Sequence, residues 1–315
     1  GVIRAHYAEV FKAKDSVFAT KRAVSISLVQ QDSLYIHGDT LMVTGKPEVR
    51  ILRAFRNAKF YKTDLSGKCD SIHFSEKTGI TQLITNPVLW NVDNQITGDS
   101  IHLISDLVNE KLDSLKVLEN AFVISLDTIG GTGYNQAKGK DLYGKFIENE
   151  LKIIDLIKNT EVIYYMYNSD QELIGIDKTI CSKIRLIMAN NDIDEITFFI
   201  RPDGDIFPDK DLPLESRKLK GFVWRGDERI LKMEDIFDED DNNIVLVPIR
   251  GIENPIDIDA EENERRNNEN DPVNQIKKPK PKARQPKKTV LPKAQRPWYP
   301  KKNFYNIKPR PRRTH

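Results

Sequence analysis

The chain has 315 residues, 39% of them hydrophobic and 30% charged, with a formal net charge of +2 and a mean hydropathy of −0.52. That length accommodates one large or two ordinary domains, and no run approaches the roughly 20 apolar residues of a membrane-spanning helix. The start, Gly-Val-Ile-Arg-Ala-His, lacks the apolar stretch of a signal peptide and has no leading Met, so the chain reads as processed or truncated.

Taken in order, residues 1–236 read as almost wholly β. Strand candidates fall at 24–29, 34–37, 41–43, 58–61, 71–75, 80–84, 88–92, 101–104, 114–117, 121–125, 151–156, 161–167, 173–176, 184–188 and 195–200. Apolar and polar residues alternate along them, the period of a half-buried strand. Turn signals separate them, among them Lys77-Thr78-Gly79, Asp93-Asn94, Tyr167-Asn168-Ser169-Asp170 and Arg201-Pro202-Asp203-Gly204. Helical periodicity is confined to short pieces near 10–14 and 212–219. Closely spaced strands without intervening helices predict an all-β chain of antiparallel sheets in a sandwich, barrel or roll.

One unit recurs. Asp-Ser or Asp-Thr followed by Leu or Ile stands at Asp32-Ser33-Leu34, Asp39-Thr40-Leu41, Asp70-Ser71-Ile72, Asp99-Ser100-Ile101 and Asp113-Ser114-Leu115, with looser versions at Gly139-Lys140-Asp141-Leu142 and Asp177 to Ile180, and Asp39, Asp70, Asp99, Asp141 and Asp177 serve as markers. The steps between the five aspartates are 31, 29, 42 and 36 residues. Self-similarity near this period predicts stacked β units, and its irregularity argues against a strict solenoid. Such a stack buries its apolar face against a second sheet or an apolar ligand, and has open edges at its ends.

From Asp235 the composition changes. An acidic stretch holding Asp238, Glu239, Asp240 and Asp241 reads as a solvated flank. Residues 273–315 then contain ten Lys, five Arg, eight Pro and no acid. This segment cannot bury enough apolar surface to fold alone and reads as disordered or polyproline-like. Its Trp298, Tyr299, Phe304 and Tyr305 among basic residues are compatible with stacking on nucleic acid or contact with an anionic surface, the plainer reading being a solubilising tail.

Signals for chemistry are weak. His73 and His102 hold equivalent places in two Asp-Ser-Ile-His units, but no Cys or carboxylate cluster gives them metal-site spacing. Gly130-Gly131-Thr132-Gly133 has neither the helix nor the Lys-Ser/Thr that a phosphate-cradling loop needs, and reads as a turn. No nucleophile elbow is present. Cys69 and Cys181 are compatible with one disulfide or with two thiols. Trp90, Phe122, Phe146, Tyr164, Phe198 and Phe222 suit either ordinary core or the lining of an apolar groove. No catalytic residue, metal or cofactor is expected.

Asn86-Pro87-Val88-Leu89-Trp90, followed by Gln95-Ile96-Thr97-Gly98-Asp99-Ser100-Ile101, resembles the OstA-like proteins of the lipopolysaccharide-transport family. So do Gly139 to Phe146, Val162 to Tyr165, Phe198 to Pro208 and Leu219 to Arg225. The resemblance covers 1–236 and is to the long, Bacteroidetes-type form in particular. It implies a periplasmic, elongated antiparallel β-jellyroll whose apolar interior shields the acyl chains of lipopolysaccharide, without catalysis. It also implies end-to-end joining to other jellyroll proteins by edge-strand pairing. The expected divisions are a first jellyroll part at 1–128, a second at 129–236 and a disordered tail at 237–315, with possible anionic-surface contact by 273–315. Alternation and the resemblance together assign Ile72, Phe74, Leu89, Ile101, Leu103, Phe122, Ile124, Ile153 and Phe198 to the lipid-facing interior. The rival expectation is an envelope scaffold that binds protein partners through its sheet edges and basic tail, without lipid.

Overall fold

The computed structural model describes residues 1–29, 32–109, 111–148, 150–189 and 192–243. The expectations for the basic tail therefore lie outside the described residues. Gly1–Asn254 is one compact unit, and every strand lies within it.

The strands are β1 (Val2–Arg4), β2 (Tyr7–Phe11), β3 (Ser16–Thr20), β4 (Val24–Val29), β5 (Asp32–His37), β6 (Thr40–Thr44), β7 (Ile51–Lys62), β8 (Leu65–Ser75), β9 (Ile80–Ile84) and β10 (Val88–Asn91). They continue as β11 (Asn94–Thr97), β12 (Ser100–Asp106), β13 (Lys111–Leu118), β14 (Ala121–Leu126), β15 (Tyr134–Gly139), β16 (Asp141–Ile147), β17 (Glu150–Tyr167), β18 (Leu173–Ala189), β19 (Asp192–Phe199) and β20 (Asp203–Phe207). All pairings are antiparallel, and together they trace a single meander folded over on itself. One wing runs β1-β4-β5-β7-β8-β10-β11-β14-β15-β17-β18-β20. The other runs β2-β3-β6-β7-β8-β9-β12-β13-β16-β17-β18-β19. β7, β8, β17 and β18 are long enough to belong to both. Among the described residues the chain thus makes twelve passes, each crossing once from wing to wing.

The crossing point is a corner, and its chemistry alternates from pass to pass. Every second pass carries two consecutive left-handed residues there: Lys21-Arg22, Arg56-Asn57, Thr85-Asn86, Glu119-Asn120, Lys158-Asn159 and Ile200-Arg201. None is glycine, and Asn, which tolerates that conformation, takes the second place four times. The intervening passes carry a single bulged residue. At the β7–β8 corner, Asp70 stands opposite both Arg56 and Asn57, since Phe55 pairs with Ser71 and Ala58 with Cys69. Neighbouring corners are tied by backbone hydrogen bonds: His6 N donates to Lys21 O (2.9 Å), Asp39 N to Arg56 O (3.2 Å), Asp70 N to Thr85 O (3.0 Å), Asp99 N to Glu119 O (3.1 Å) and Lys140 N to Lys158 O (2.8 Å). The recurring aspartates of the sequence are therefore corner residues at 39, 70 and 99, whereas at 141 the corner residue is the preceding Lys140 and Asp141 already pairs with Ile157; Asp32 and Asp113 lie within β5 and β13. Asp177 is not one, because its pass turns at Ser182, opposite Lys158-Asn159.

Between the wings lies a continuous apolar core that includes Leu41, Ile72, Leu89, Ile101, Val117, Leu142, Ile154 and Leu186. The outer face of the first wing is covered as well. After β20, residues 208–243 run as an extended strap punctuated by 3-10 turns. Leu212 and Leu219 pack on Phe122, Ile124, Ile163, Tyr165 and Ile176. Farther along, Ile230 and Ile236 pack on Val24, with Tyr35, Tyr61 and Phe237 beside them. Two buried glutamines clip the strap's backbone in the same way. Gln136 accepts from Leu219 N (2.9 Å) and donates to Arg217 O (2.7 Å). Gln95 accepts from Arg225 N (2.6 Å) and donates to Val223 O (2.7 Å).

The strap ends at a corner. Lys59 binds Asp238 at 2.7 Å, the Phe237 ring lies edge-on to His37, and the Asp241 carboxylate approaches His37 Nε2 at 3.4 Å. His37 Nδ1 lies 2.7 Å from Ala23 O, a group that only accepts, so Nδ1 carries the proton. The acidic run is thus no solvated flank throughout, since Asp241 is buried.

Gln136→Ala leaves a buried N–H and a carbonyl unpaired, each such group costing about 1–3 kcal/mol. Chemical denaturation should show a loss of about 2 kcal/mol or more, with Gln95→Ala similar. Unchanged stability would mean that apolar packing alone holds the strap. A second expectation concerns pH. Hydrogen bonds from Arg225 and from Lys68 hold the Glu228 carboxyl down at about 2, against an ordinary 4.5. Its stabilising contribution is therefore complete above 4.5 and is lost as pH falls through about 2. With 37% of that side chain exposed, solvent limits the contribution to about 1 kcal/mol or less. Glu228→Gln should lower the unfolding midpoint at pH 7, and the gap should close by pH 2.

Candidate functional site

The space between the wings is filled at its floor and open at one end. Near the corners, Ile72, Leu89 and Ile101 are fully buried. Away from them the two wings diverge at the N-terminal end. There a cleft of about 940 Å³ is walled by Ile3, Val17, Leu34, Val43, Leu52 and Phe74. It is at the upper end of the roughly 300–1,000 Å³ typical of small-molecule sites. Val29, Leu34, Ile36, Thr81 and Ser105 also line a smaller cavity of about 70 Å³ that reaches Leu103, Leu112 and Phe146. The two spaces thus share walls along the middle of the molecule.

The other end is filled. Phe146, Leu151 and Met188, as far from their corners as the cleft-lining residues or farther, are only 5%, 4% and 4% exposed. Tyr164 from β17 and Ile193, Ile196 and Phe198 from β19 pack into the same core. The Tyr164 hydroxyl reaches across to Ile193 O at 3.5 Å. Burial raises the Tyr164 pKa, and the carboxylates of Asp192, Asp127 and Asp194 add to that rise.

Of the residues assigned to the interior from sequence, Phe74 lines the cleft, and Ile72 and Leu103 line the cavity. Leu89 and Ile101 belong to the packed floor, and Phe198 to the filled end. Three face the other way. Phe122 and Ile124 point outward under the strap, while their neighbours Ala121 and Val123 point inward. Because both faces of β14 are covered, the run Ala-Phe-Val-Ile-Ser has no alternation from which to read its phase. Ile153 is turned outward by a bulge. Lys145 pairs with Ile153 but Phe146 pairs with Leu151, so Leu151 and Ile154 share the inner face across three positions. Ile3, Val10 and Val17, cleft residues of β1 to β3, were missed, since those strands are short and lack strong turn signals before them.

Among the described residues no group of three or more His, Cys, Asp and Glu is placed to hold a metal ion. His73 and His102 lie on the outer face of the second wing, each paired with Gln82 between them. Burial lowers the pKa of both, assisted by Arg53 and Lys116 respectively. The glycine-rich segment is the β14–β15 turn, where Asp127 accepts from Ile129 N and Gly130 N. Cys69 and Cys181 are free thiols, and burial pushes Cys69 up to about 12.

Comparison with known proteins gives a family match over part of the chain. A family model described as "LptA/(LptD N-terminal domain) LPS transport protein" matches residues 27–106, which hold most of the cavity wall. No curated protein sequence matches the chain. Among solved structures, the chain is similar to LptH of Pseudomonas aeruginosa, described as the LptA homologous periplasmic component of the lipopolysaccharide transport device. The identity is 14%, with 46% of this chain and 99% of that one covered, and the TM-score is 0.35.

Floor and cleft wall should respond differently to truncation. Ile101→Ala leaves a void in a closed core and should cost about 2–5 kcal/mol. Phe74→Ala removes a larger side chain from a wall that solvent already reaches, and should cost less. Denaturant midpoints compare the two directly. A larger loss at Phe74 would mean that the cleft is closed in solution.

Proposed function

We propose, from the match of residues 27–106 to the family model of LptA and the LptD N-terminal domain, that this chain is a non-enzymatic periplasmic carrier that holds lipopolysaccharide acyl chains between its wings. The carrying observation is the cleft at the N-terminal end and the wall it shares, through Val29, Leu34 and Ile36, with the cavity bounded by Ile72 and Leu103. Acyl chains leave water at a gain of about 0.8 kcal/mol per buried methylene. They need no directional partner, which suits the apolar side chains of Ile3, Val17, Leu34, Val43, Leu52 and Phe74 on the cleft walls, between which serines and rim charges also stand. The strap supports the same reading. It covers the outer face of the first wing and leaves the space between the wings as the apolar surface open to a ligand. Residues of the outermost passes, β1 and β2 at one end and β19 and β20 at the other, present strand edges to which other jellyroll proteins can add.

The rival reading, a scaffold that binds proteins without lipid, draws on the filled C-terminal half. A photoreactive amino acid at Phe74, with the outward His73 as control, separates the two. Adducts with purified lipopolysaccharide at Phe74 and not at His73 are expected. A folded protein that gives adducts at neither position would favour the scaffold.

A further inference from the structure

Charge and packing are both graded along the stack, and in the same direction. Residues 1–62, which build the open end, contain eleven basic and five acidic residues. Residues 160–211, which build the filled end, contain five basic and eleven acidic residues. On the cleft rim stand three basic residues, Lys12, Lys46 and Arg50, and three acidic ones, Asp15, Glu76 and Asp106, the last of which accepts from Val108 N and Asn109. Lys12 and Lys46 have no ion-pair partner among the described residues, and Arg50 is 4.0 Å from Glu76. The Glu76 carboxylate is already engaged by Glu48 N and Arg50 N. At the filled end, Asp192, Asp194 and Glu195 crown the second wing. On the facing wing Tyr164 is paired with Asp177 and Val162 with Thr179, so polar groups replace apolar ones on its inner side.

Resting on the carrier reading, we infer that the trough is blind: an amphiphile with an anionic, phosphorylated headgroup and several acyl chains enters and leaves only at the N-terminal end. Its headgroup rests on Lys12, Lys46 and Arg50, and its acyl chains reach no farther than Leu112 and Phe146. Entry from the other end is opposed twice over. The Tyr164, Met188 and Phe198 side chains occupy the space the acyl chains would need, and the carboxylates of Asp192, Asp194 and Glu195 repel a phosphate. The C-terminal passes are then a seal and a protein-facing surface rather than a continuation of the conduit.

The test uses the full chain and purified lipopolysaccharide. Photoreactive side chains are placed at Phe74 and, separately, at Phe198. Adducts at Phe74 alone are expected. Adducts at both positions would overturn the blind trough and leave the carrier reading standing. Adducts at neither, in a folded protein, would overturn both. Surface charge reversals provide a readout that does not disturb packing. Lys12→Glu with Lys46→Glu should weaken lipopolysaccharide binding about fivefold or more per reversed charge, from roughly 1 kcal/mol per basic group near an anionic surface. Asp192→Lys with Asp194→Lys should leave it unchanged. Equal effects at the two ends would overturn the assignment of the mouth.

Discussion

Two left-handed residues in one pass, facing a single bulged residue in the next, turn a meander into two facing wings. Non-glycine residues in that conformation each cost of the order of 1–2 kcal/mol. They persist because the corner is fixed from both sides. The adjacent amide donates across it, as Asp99 N does to Glu119 O, and the side chains join in, as Asn120 Nδ2 does to Asp99 Oδ1. Space is fixed too. A Cβ on Gly98 would lie 2.2 Å from Val117 Cγ1, so the passes meet at the corner closer than side chains allow. Without this bend the meander would expose the apolar face that now forms the core, and the floor of Ile72, Leu89 and Ile101 would not exist.

Much of this was legible in the sequence, for reasons that belong to particular residues. The Asp-Ser-Ile units were visible because at three corners an Asp is followed two residues on by an inward apolar side chain, Leu41, Ile72 and Ile101. Their meaning was not, since a period fixes recurrence and not geometry. The partner signal, Asn at 57, 86, 120 and 159, becomes readable only once the alternation of corners is known. β7 and β8 were each found in part, Arg56-Asn57 and Asp70 reading as breaks where the chain only bends. The Arg201-Pro202-Asp203-Gly204 turn shares only Arg201 with the bend, which falls at Ile200-Arg201, and Asp203 and Gly204 are already in β20. Phase was legible where one face is open to water, as at Ile72 and Phe74, and was lost where the strap covers the second face, as at Phe122 and Ile124.

The strap also changes how the two wings differ. The second wing keeps a polar outer ladder in which Asp155 binds Arg185 through two 2.7 Å hydrogen bonds. The first wing has an apolar outer face and meets a chain segment through side-chain amides. Gln95 and Gln136 do what a neighbouring strand's peptide group would do, accepting from one residue and donating to the carbonyl two before it. They recognise the strap by its backbone, and the flanking leucines and aromatic rings set its position. Tyr134, whose ring lies 5.1 Å from Phe222 and 5.3 Å from Trp224, holds the middle of the strap in this way.

The alternation of corners gives the stack a parity. A pass with a two-residue corner fits only between passes with one-residue corners, because the tying amide comes from the single residue and the accepting carbonyl from the pair. Inserting or deleting one pass would bring two like corners together, with both amides or both carbonyls left facing each other. Inserting or deleting two restores the sequence of corners and leaves every tie intact. Chains of this architecture can therefore lengthen or shorten their trough only in double steps, as a zip loses teeth in matched pairs, and the hairpin of two passes, not the strand, is the unit in which such a protein changes size.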